Sequence, residues 1–235
     1  RTASREDGFA AEDEADGELI MSEEFRASVY AFDLVQRRAK RPVGAPDRQL
    51  ARAVTKVGIV GAGLMASQLG LLFVRRLEVP VVLTDLDQER VDKGVGSIHA
   101  EIGTLRAKGR LSTEQATRLT ALVTGSTDVA GFADADFVLE AVYEDMKVKQ
   151  EVLAELETVF ARECVLATNA SALSVTQMAA NLAHPERVVG FHFFNPVAVL
   201  PLVEVVRAER TDDVALATAF AVGRSVGPAT RRNRL

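Results

Sequence analysis

Residues 56–67 read KVGIVGAGLMAS, a short β-branched run that ends in glycines and leads into a predicted helix. Gly61, Gly63 and Ala66 occupy the positions of a G-x-G-x-x-G/A pattern at this strand–helix junction. In such a turn the first glycine permits the tight bend, the second lets backbone N–H groups approach a pyrophosphate, and the small third residue allows close helix packing. The pattern alone is weak evidence, because glycines are also common at ordinary strand–helix turns.

The next segment supplies the context that the glycine pattern needs. A second apolar run, VPVVLTD, ends in Asp85, at about the 20-residue distance expected of a carboxylate that binds an adenosine ribose. Leu86 follows it rather than an arginine, so the sequence predicts NAD rather than NADP. Asp85 could instead cap the following helix, a role for which Asp87 competes. The intact strand–turn–helix–strand unit makes dinucleotide binding the stronger interpretation.

Near-continuous apolar runs recur along the chain and are typical of strands buried on both faces of a parallel sheet. They are KVGIVG, VPVVLTD, DFVLEAV, CVLATN, RVVGFHF and LPLVEVV. Helical patterns lie between most of them, at about residues 63–78, 87–107, 113–122, 146–161 and 174–182. The alternation predicts an α/β fold of the Rossmann type, a doubly wound and mainly parallel sheet with a helical hairpin excursion within 87–122.

The N-terminal part of the chain has a different character. Residues 1–21 are acidic and of low complexity, which predicts a mobile segment or the end of another element. Residues 22–40 place apolar side chains on one helical face after Ser22, a candidate N-cap, and the segment RPVGAPD then indicates a linker. We therefore expect a tail and linker helix over 1–50, a domain over 54–223, and a disordered tail over 224–235.

Composition excludes several classes of function. The net charge of -5 and pI near 5.4 argue against a nucleic-acid partner. The single cysteine, Cys164, can build neither a disulfide nor a zinc site, and its apolar setting suggests a buried small hydrophobe. No apolar run approaches the roughly 20 residues of a membrane helix. The cysteine usage makes a cytoplasmic location the default expectation. The polar, acidic N-terminal stretch predicts no signal peptide, and its start at Arg rather than Met predicts a piece of something longer.

Polar residues follow several predicted strands, where ligands of open α/β sheets bind. Glu144 follows DFVLEAV, Asn169 and Ser171 follow CVLATN, and His192 ends RVVGFHF within the stretch GFHFFNP. Glu204 lies in the next run. Singly, each has a plainer explanation: a core histidine, a helix cap or a surface charge. Together they predict one polar cleft beside the glycine-rich turn.

Over residues 54–223 the sequence resembles the NAD-binding domain of 3-hydroxyacyl-CoA dehydrogenases. The shared motifs, in order, are GAGLM, VVLTD, EAVYEDMKVK, NASALS, GFHFFNP and PLVEVV. The stretch ASVYAFDLVQRRAKRP is similar to the linker before this domain in multifunctional fatty-acid oxidation proteins, where an enoyl-CoA hydratase/isomerase domain comes first. The resemblance therefore implies acyl-CoA as substrate, a hydratase/isomerase domain or subunit as partner, and a homo-oligomer or larger complex.

The resemblance also implies roles for individual residues. His192 is the catalytic base that takes the substrate hydroxyl proton, Glu204 pairs with it, and Ser171 binds near the reacting oxygen. The residues that the resemblance and the strand ends assign to the NAD site are Gly61, Gly63, Leu64, Met65, Asp85, Glu144, Lys149 and Asn169. The chemistry is consistent, because an imidazole exchanges protons at neutral pH and a carboxylate on its second nitrogen fixes the tautomer. Flanking phenylalanines would exclude water from the pair.

Three departures from the family pattern qualify these expectations. Ala66 replaces the usual third glycine, and the family's N-T-S-S segment is Asn169-Ala170-Ser171-Ala172 here. After Gly223 the family's continuation into a C-terminal helical domain is not recognisable. We therefore expect a truncated copy that binds NAD better than it turns over substrate. Two alternatives are a non-catalytic fragment that binds dinucleotide or docks through helix 22–40, and a Rossmann dehydrogenase of another hydroxy acid.

Overall fold

The computed structural model describes residues 4–40, 44–200 and 202–227. The chain divides into two compact units, residues 1–45 and residues 46–235. The first unit holds two helices, α1 (Arg5–Met21) and α2 (Glu23–Lys40). The second unit holds the whole β-sheet and the remaining helices.

Helix α1 differs from the mobile segment that the acidic composition predicts. Ser4 and Asp7 form a reciprocal capping box that satisfies backbone N–H groups at the start of the helix. No residue of α1 is buried, so local capping rather than core packing accounts for its helical start. Ser22 caps α2 as predicted, since its hydroxyl accepts the Phe25 N–H at 3.1 Å.

The second unit is a seven-stranded sheet with the strand order β3-β2-β1-β4-β5-β6-β7. All neighbouring strands are parallel except β6 and β7, which are antiparallel. The strands are β1 (Val57–Val60), β2 (Val81–Thr84), β3 (Val123–Gly125), β4 (Phe137–Glu140), β5 (Val165–Thr168), β6 (Val188–Phe193) and β7 (Val203–Arg207). The predicted doubly wound α/β fold is confirmed.

Six further helices flank the sheet. They are α3 (Leu64–Leu77), α4 (Gln88–Ala107), α5 (Thr113–Ala121), α6 (Met146–Val159), α7 (Val175–Ala179) and α8 (Asp213–Val226). Helix α7 is shorter than predicted, whereas β3 and α8 were not predicted. Helix α8 continues past Gly223, so the first residues of the predicted tail are helical, and residues 228–235 lie outside the described part of the chain.

Two hydrophobic clusters cover the two faces of the sheet, because successive strand residues point to opposite faces. Phe191 and Phe193 lie in the same cluster, where their rings are 5.1 Å apart and Phe73 contacts both. His192, between them in sequence, points to the opposite face. Within the described residues, no helix combines the length and apolar character needed to cross a membrane.

Cys164 is buried in the second cluster, as its apolar setting predicts. Burial raises the pKa of its thiol to about 12, so almost no thiolate forms at neutral pH. We expect a thiol reagent to label the native protein at least about a hundredfold more slowly than the unfolded protein at about pH 8. Stopped labelling with and without denaturant measures this ratio, and rapid native labelling would contradict the burial.

Candidate active site

The carboxyl ends of β1, β2, β4, β5 and β6 lie along one edge of the sheet, because these strands are mutually parallel. The loops that leave this edge carry the residues that the sequence singles out. On β6, His192 lies one residue before the strand ends at Phe193. The topology therefore brings the glycine-rich turn and the later polar residues to one edge, as expected.

At the glycine-rich turn, the two glycines serve different purposes. Gly61 has φ +111°, and a Cβ there would lie 2.8 Å from the Ala141 carbonyl oxygen, so no other residue fits without strain. Gly63 has φ -74° and open space where a Cβ would point. Gly63 also caps α3 without any side-chain hydrogen bond, which leaves the helix start accessible to an anion. Ala66 is fully buried.

Asp85 turns its carboxylate into the glycine-rich loop. One oxygen accepts the Ala62 N–H and the other accepts the Leu86 N–H, each at 2.8 Å. The Arg90 guanidinium lies 3.5 Å from the same side chain. Asp87, not Asp85, caps α4, so the alternative explanation of Asp85 as a helix cap is wrong. The carboxylate thus shapes the loop as well as lying where a ribose is predicted.

His192 and Glu204 contact each other across the antiparallel pairing of β6 and β7. His192 on β6 stands opposite Glu204 on β7, and His192 Nδ1 lies 2.9 Å from Glu204 Oε2. The imidazole is 13% exposed, and no described residue hydrogen-bonds its Nε2. The two side chains therefore lie in contact, as the sequence analysis expects. The Nε2 atom of His192 remains available for a substrate.

The predicted aromatic surroundings of His192 need a correction. Phe191 and Phe193 pack into the core on the opposite face of the sheet and do not shield the imidazole. Phe194 is the ring that contacts it, with centroids 4.7 Å apart. Strand alternation explains the error, because residues next to a strand position point away from it.

The loop after β5 places Ser171 through its backbone. Glu144 Oε1 accepts the Ser171 N–H at 2.8 Å and the Ala172 N–H at 3.4 Å. Within the described residues nothing hydrogen-bonds the Ser171 hydroxyl, so it can meet a ligand. Asn169 Oδ1 accepts the Phe193 N–H, which ties the loop to the strand of His192. Ser174, not Ser171, caps α7, and Asp145, not Glu144, caps α6.

Partial burial alone raises the pKa of Glu144, but hydrogen bonds from the Ser171 and Ala172 N–H groups and the charge of Lys149 outweigh it and lower the pKa. The ionised Glu144 carboxylate makes its full contacts with the loop at pH values above the ordinary glutamate pKa of about 4.3. These contacts are lost as the pH falls through the lowered pKa of Glu144. We expect Glu144→Gln to speed Ser171 amide exchange about threefold to tenfold near neutral pH, since charged acceptors bind more strongly.

The ratio of variant to wild-type exchange should approach one on acidification, when both side chains are neutral. Hydrogen exchange followed by NMR gives this ratio directly, since the intrinsic exchange rates cancel. The Ala183 amide, which is held by Glu157, serves as an internal control and should not respond. A ratio independent of pH would show that the carboxylate charge does not hold the loop.

Three residues that are predicted to contact the cofactor differ in their exposure to solvent. Leu64 is exposed at the start of α3, whereas Met65 is partly buried and packs against the core. Lys149 is 1% exposed, and its ammonium lies 2.7 Å from Glu140 Oε1 and 3.3 Å from Glu144 Oε2. Lys149 therefore has no exposed surface for a ligand in this arrangement.

Sequence reasoning missed Gln68 and Glu140. Gln68 on α3 accepts the Val197 N–H at 3.0 Å and donates to Asn195 Oδ1 at 3.4 Å, which holds the turn after β6, where the Asn195-Pro196 bond is cis. No local pattern predicts partners so distant in sequence. Glu140 could have been found, because a charged residue inside the apolar run DFVLEAV needs a buried partner.

A cavity of about 820 Å³ opens beside the glycine-rich turn. Gly63, Leu64 and Asp85 line one end of it, and Phe193 and residues 196–200 line another part. His192, Glu204, Ser171 and Glu144 are not among its lining residues. The cavity therefore lies beside the glycine-rich turn, and the His192–Glu204 pair does not line it.

These features define a class of protein: a Rossmann-type dinucleotide-binding domain with a histidine–carboxylate pair at the same sheet edge. Residues 56–230 match the protein family described as 3-hydroxyacyl-CoA dehydrogenase, NAD binding domain, and the chain belongs to that family. The resemblance inferred from the motifs is confirmed, and so is NAD as the cofactor.

Several known proteins are similar to this chain. The fatty acid oxidation complex subunit alpha of Pseudomonas putida is 35% identical over 201 residues, which cover 85% of this chain and 28% of that protein. The peroxisomal fatty acid beta-oxidation multifunctional protein MFP2 of Arabidopsis thaliana is 30% identical over 220 residues, 93% of this chain and 30% of that protein. The chain thus spans less than a third of the length of these relatives.

Among solved structures, 3-hydroxybutyryl-CoA dehydrogenase from Escherichia coli superposes with a TM-score of 0.71 and 32% identity. The superposition covers 74% of this chain and 37% of that protein.

Proposed function

We propose that this chain carries out the NAD-dependent oxidation of a 3-hydroxyacyl-CoA to a 3-oxoacyl-CoA, a step of fatty-acid β-oxidation. The observation that carries the proposal is the His192–Glu204 pair, with a 2.9 Å contact at Nδ1 and with Nε2 open, at the sheet edge that holds the glycine-rich turn. The names of the similar proteins, which include a 3-hydroxybutyryl-CoA dehydrogenase, support the substrate class.

The geometry of the His192–Glu204 pair supports the following proton route. Nε2 of His192 accepts the substrate hydroxyl proton, while Glu204 holds the proton on Nδ1 and stabilises the imidazolium that forms. The Ser171 hydroxyl donates a hydrogen bond to the substrate oxygen as it becomes a carbonyl. In the reverse direction His192 returns its proton to that oxygen.

NAD fits the residues present, because α3 begins at Gly63 with no side-chain cap and with open space above it. When bound, NAD supplies the acceptor for the hydride that leaves the substrate carbon. Gly61 and Gly63 would admit the pyrophosphate and Asp85 would accept from the adenosine ribose. Leu64, Met65, Asn169 and Glu144 are proposed to line the remaining cofactor path, and Lys149 to support it.

One titration and two turnover assays test the proposal on the purified chain. NADH fluorescence should report binding, and acetoacetyl-CoA should cause loss of NADH absorbance. Binding without any turnover would support the non-catalytic alternative instead. Turnover of small hydroxy acids with no need for CoA would support a dehydrogenase of another class. Loss of both binding and turnover would overturn the proposal altogether.

We further propose that the chain works within a larger assembly, with a hydratase/isomerase domain or subunit beside residues 1–50 and the dehydrogenase domain over 54–223. The names of the relatives, a multifunctional protein and a complex subunit, support this. The apolar side chains of Phe25, Val29 and Phe32 on α2 are exposed, which suits a docking surface. A homo-oligomer is the alternative, and sedimentation of the purified chain distinguishes them.

We place the protein in the cytoplasm, in keeping with its bacterial relative.

A further inference from the structure

The proposed chemistry gives no role to the buried carboxylate of Glu140. Glu140 is the last residue of β4 and is 0% exposed. One of its oxygens accepts the Val142 N–H and the Lys149 ammonium, each at 2.7 Å, and the other accepts the Thr168 hydroxyl at 2.6 Å. A buried ion pair usually stabilises a fold no better than apolar residues of the same size. The Glu140–Lys149 pair is therefore expected to have a role other than stabilising the fold.

Lys149 connects this buried carboxylate to an exposed one. Its ammonium has three protons, and its three acceptors are Glu140 Oε1, Glu144 Oε2 and, at 3.4 Å, the Val142 carbonyl oxygen. No donor remains for a ligand. The side chain of Glu144 is 41% exposed, and its second oxygen lies 3.3 Å from the Lys149 ammonium, while its first accepts the Ser171 and Ala172 N–H groups.

The two carboxylates and their neighbours hold the whole Ser171 loop. The Asn169 N–H donates to the Glu140 backbone oxygen, and the Ala170 N–H donates to the Thr168 hydroxyl. The N–H groups of Ser171 and Ala172 both donate to Glu144. Of these four consecutive N–H groups, the first is held by backbone alone, the second by the Thr168 hydroxyl that also donates to the Glu140 carboxylate, and the last two by Glu144, which contacts Lys149.

We propose that Glu140 is a positioning residue for the dehydrogenase reaction, acting through Lys149 and Glu144 to fix the backbone of Ser171. Glu140 touches no substrate or cofactor. It sets where the Ser171 hydroxyl stands, while Asn169 ties the same loop to the strand of His192. Holding reacting groups in place in this way is a main source of enzymatic rate. The inference rests on the proposed function for the role of Ser171, but the loop coupling itself does not.

The test compares Glu140→Gln with a double variant that also carries Lys149→Met. Glu140→Gln removes the charge and frees Lys149, so Ser171 and Ala172 amide exchange should rise about tenfold or more. The rate constant kcat for acetoacetyl-CoA reduction should fall by a similar factor, with KM for acetoacetyl-CoA changed less than about threefold. Glu157→Gln is the matched control, because Glu157 holds the Ala183 and His184 N–H groups instead.

The double variant separates positioning from plain stability. Removing both charges leaves no unpaired buried ion, so unfolding by urea should return close to wild type. In the double variant Glu144 has lost the Lys149 ammonium as well, so we expect the fast loop exchange and the low kcat to persist. Recovery of loop protection and kcat in the double variant would overturn the inference, as would unchanged exchange in Glu140→Gln. If wild type shows no turnover, the proposed function fails, and amide exchange still decides the coupling.

Discussion

Replacement of His192 by glutamine should lower kcat for acetoacetyl-CoA reduction by a factor of about 10²–10⁴, the usual contribution of a positioned acid or base. Glutamine keeps a polar side chain of similar reach but cannot exchange a proton near neutral pH. NADH affinity should stay within about threefold of wild type, since the glycine-rich turn lies on another strand. Steady-state kinetics and NADH fluorescence on the same preparation measure both quantities.

Glu204→Gln is the informative companion, because it leaves the imidazole in place but removes the carboxylate from Nδ1. We expect a smaller loss of kcat than for His192→Gln, and no loss of folding, since Glu204 is about half exposed. A His192→Gln protein that retains wild-type kcat would remove the histidine from the mechanism and leave only a dinucleotide-binding domain.

Gly61→Ala should be the most damaging single-methyl change in the dinucleotide site. At φ +111° an alanine is strained by about 1–3 kcal/mol, and its Cβ would also push against the Ala141 carbonyl oxygen. The midpoint of thermal unfolding should fall by about 2–4 °C for each kcal/mol lost in a domain of this size. NADH binding should weaken too, because the turn must move. Thermal unfolding and NADH titration provide the measurements.

Gly63→Ala is the matched control for that change. Its backbone suits any residue and its Cβ would meet no neighbour within 4 Å, so folding should be unaffected. NADH affinity should nevertheless fall on the order of tenfold, because the methyl group occupies the approach of the pyrophosphate. Equal thermal stability of Gly61→Ala and wild type would show that the turn relaxes at no cost.

Much of the fold could be predicted from the sequence because buried parallel strands are near-continuous apolar runs. The prediction failed where that signal is weak. Strand β3 has only three residues, of which only Val123 is buried, and α8 lies beyond the stretch in which family motifs are recognisable. The capping box that starts α1 was overlooked because acidic composition suggested a mobile segment.

The candidate site, like the fold, could be predicted from the sequence only in part. The His192–Glu204 pair was predicted from the resemblance to the 3-hydroxyacyl-CoA dehydrogenase family, and the antiparallel register of β6 and β7 brings the side chains together. Strand alternation would also have placed Phe191 and Phe193 on the face opposite His192. What could not be predicted is how Lys149 is buried and that Gln68 holds the turn at Asn195. These depend on long-range packing between elements, which a local pattern does not contain.

Strand β7 is one of the two outer strands of the sheet, and among the described residues it pairs only with β6. A shift of one residue in that pairing would send Glu204 to the far face, since side chains alternate along a strand. The proposed proton transfer thus depends on the register of an outer strand, whereas the glycine-rich turn proposed to bind NAD follows β1 in the interior of the sheet. A change that shifts the register of β7 should therefore yield a protein that still binds NADH but no longer reduces acetoacetyl-CoA.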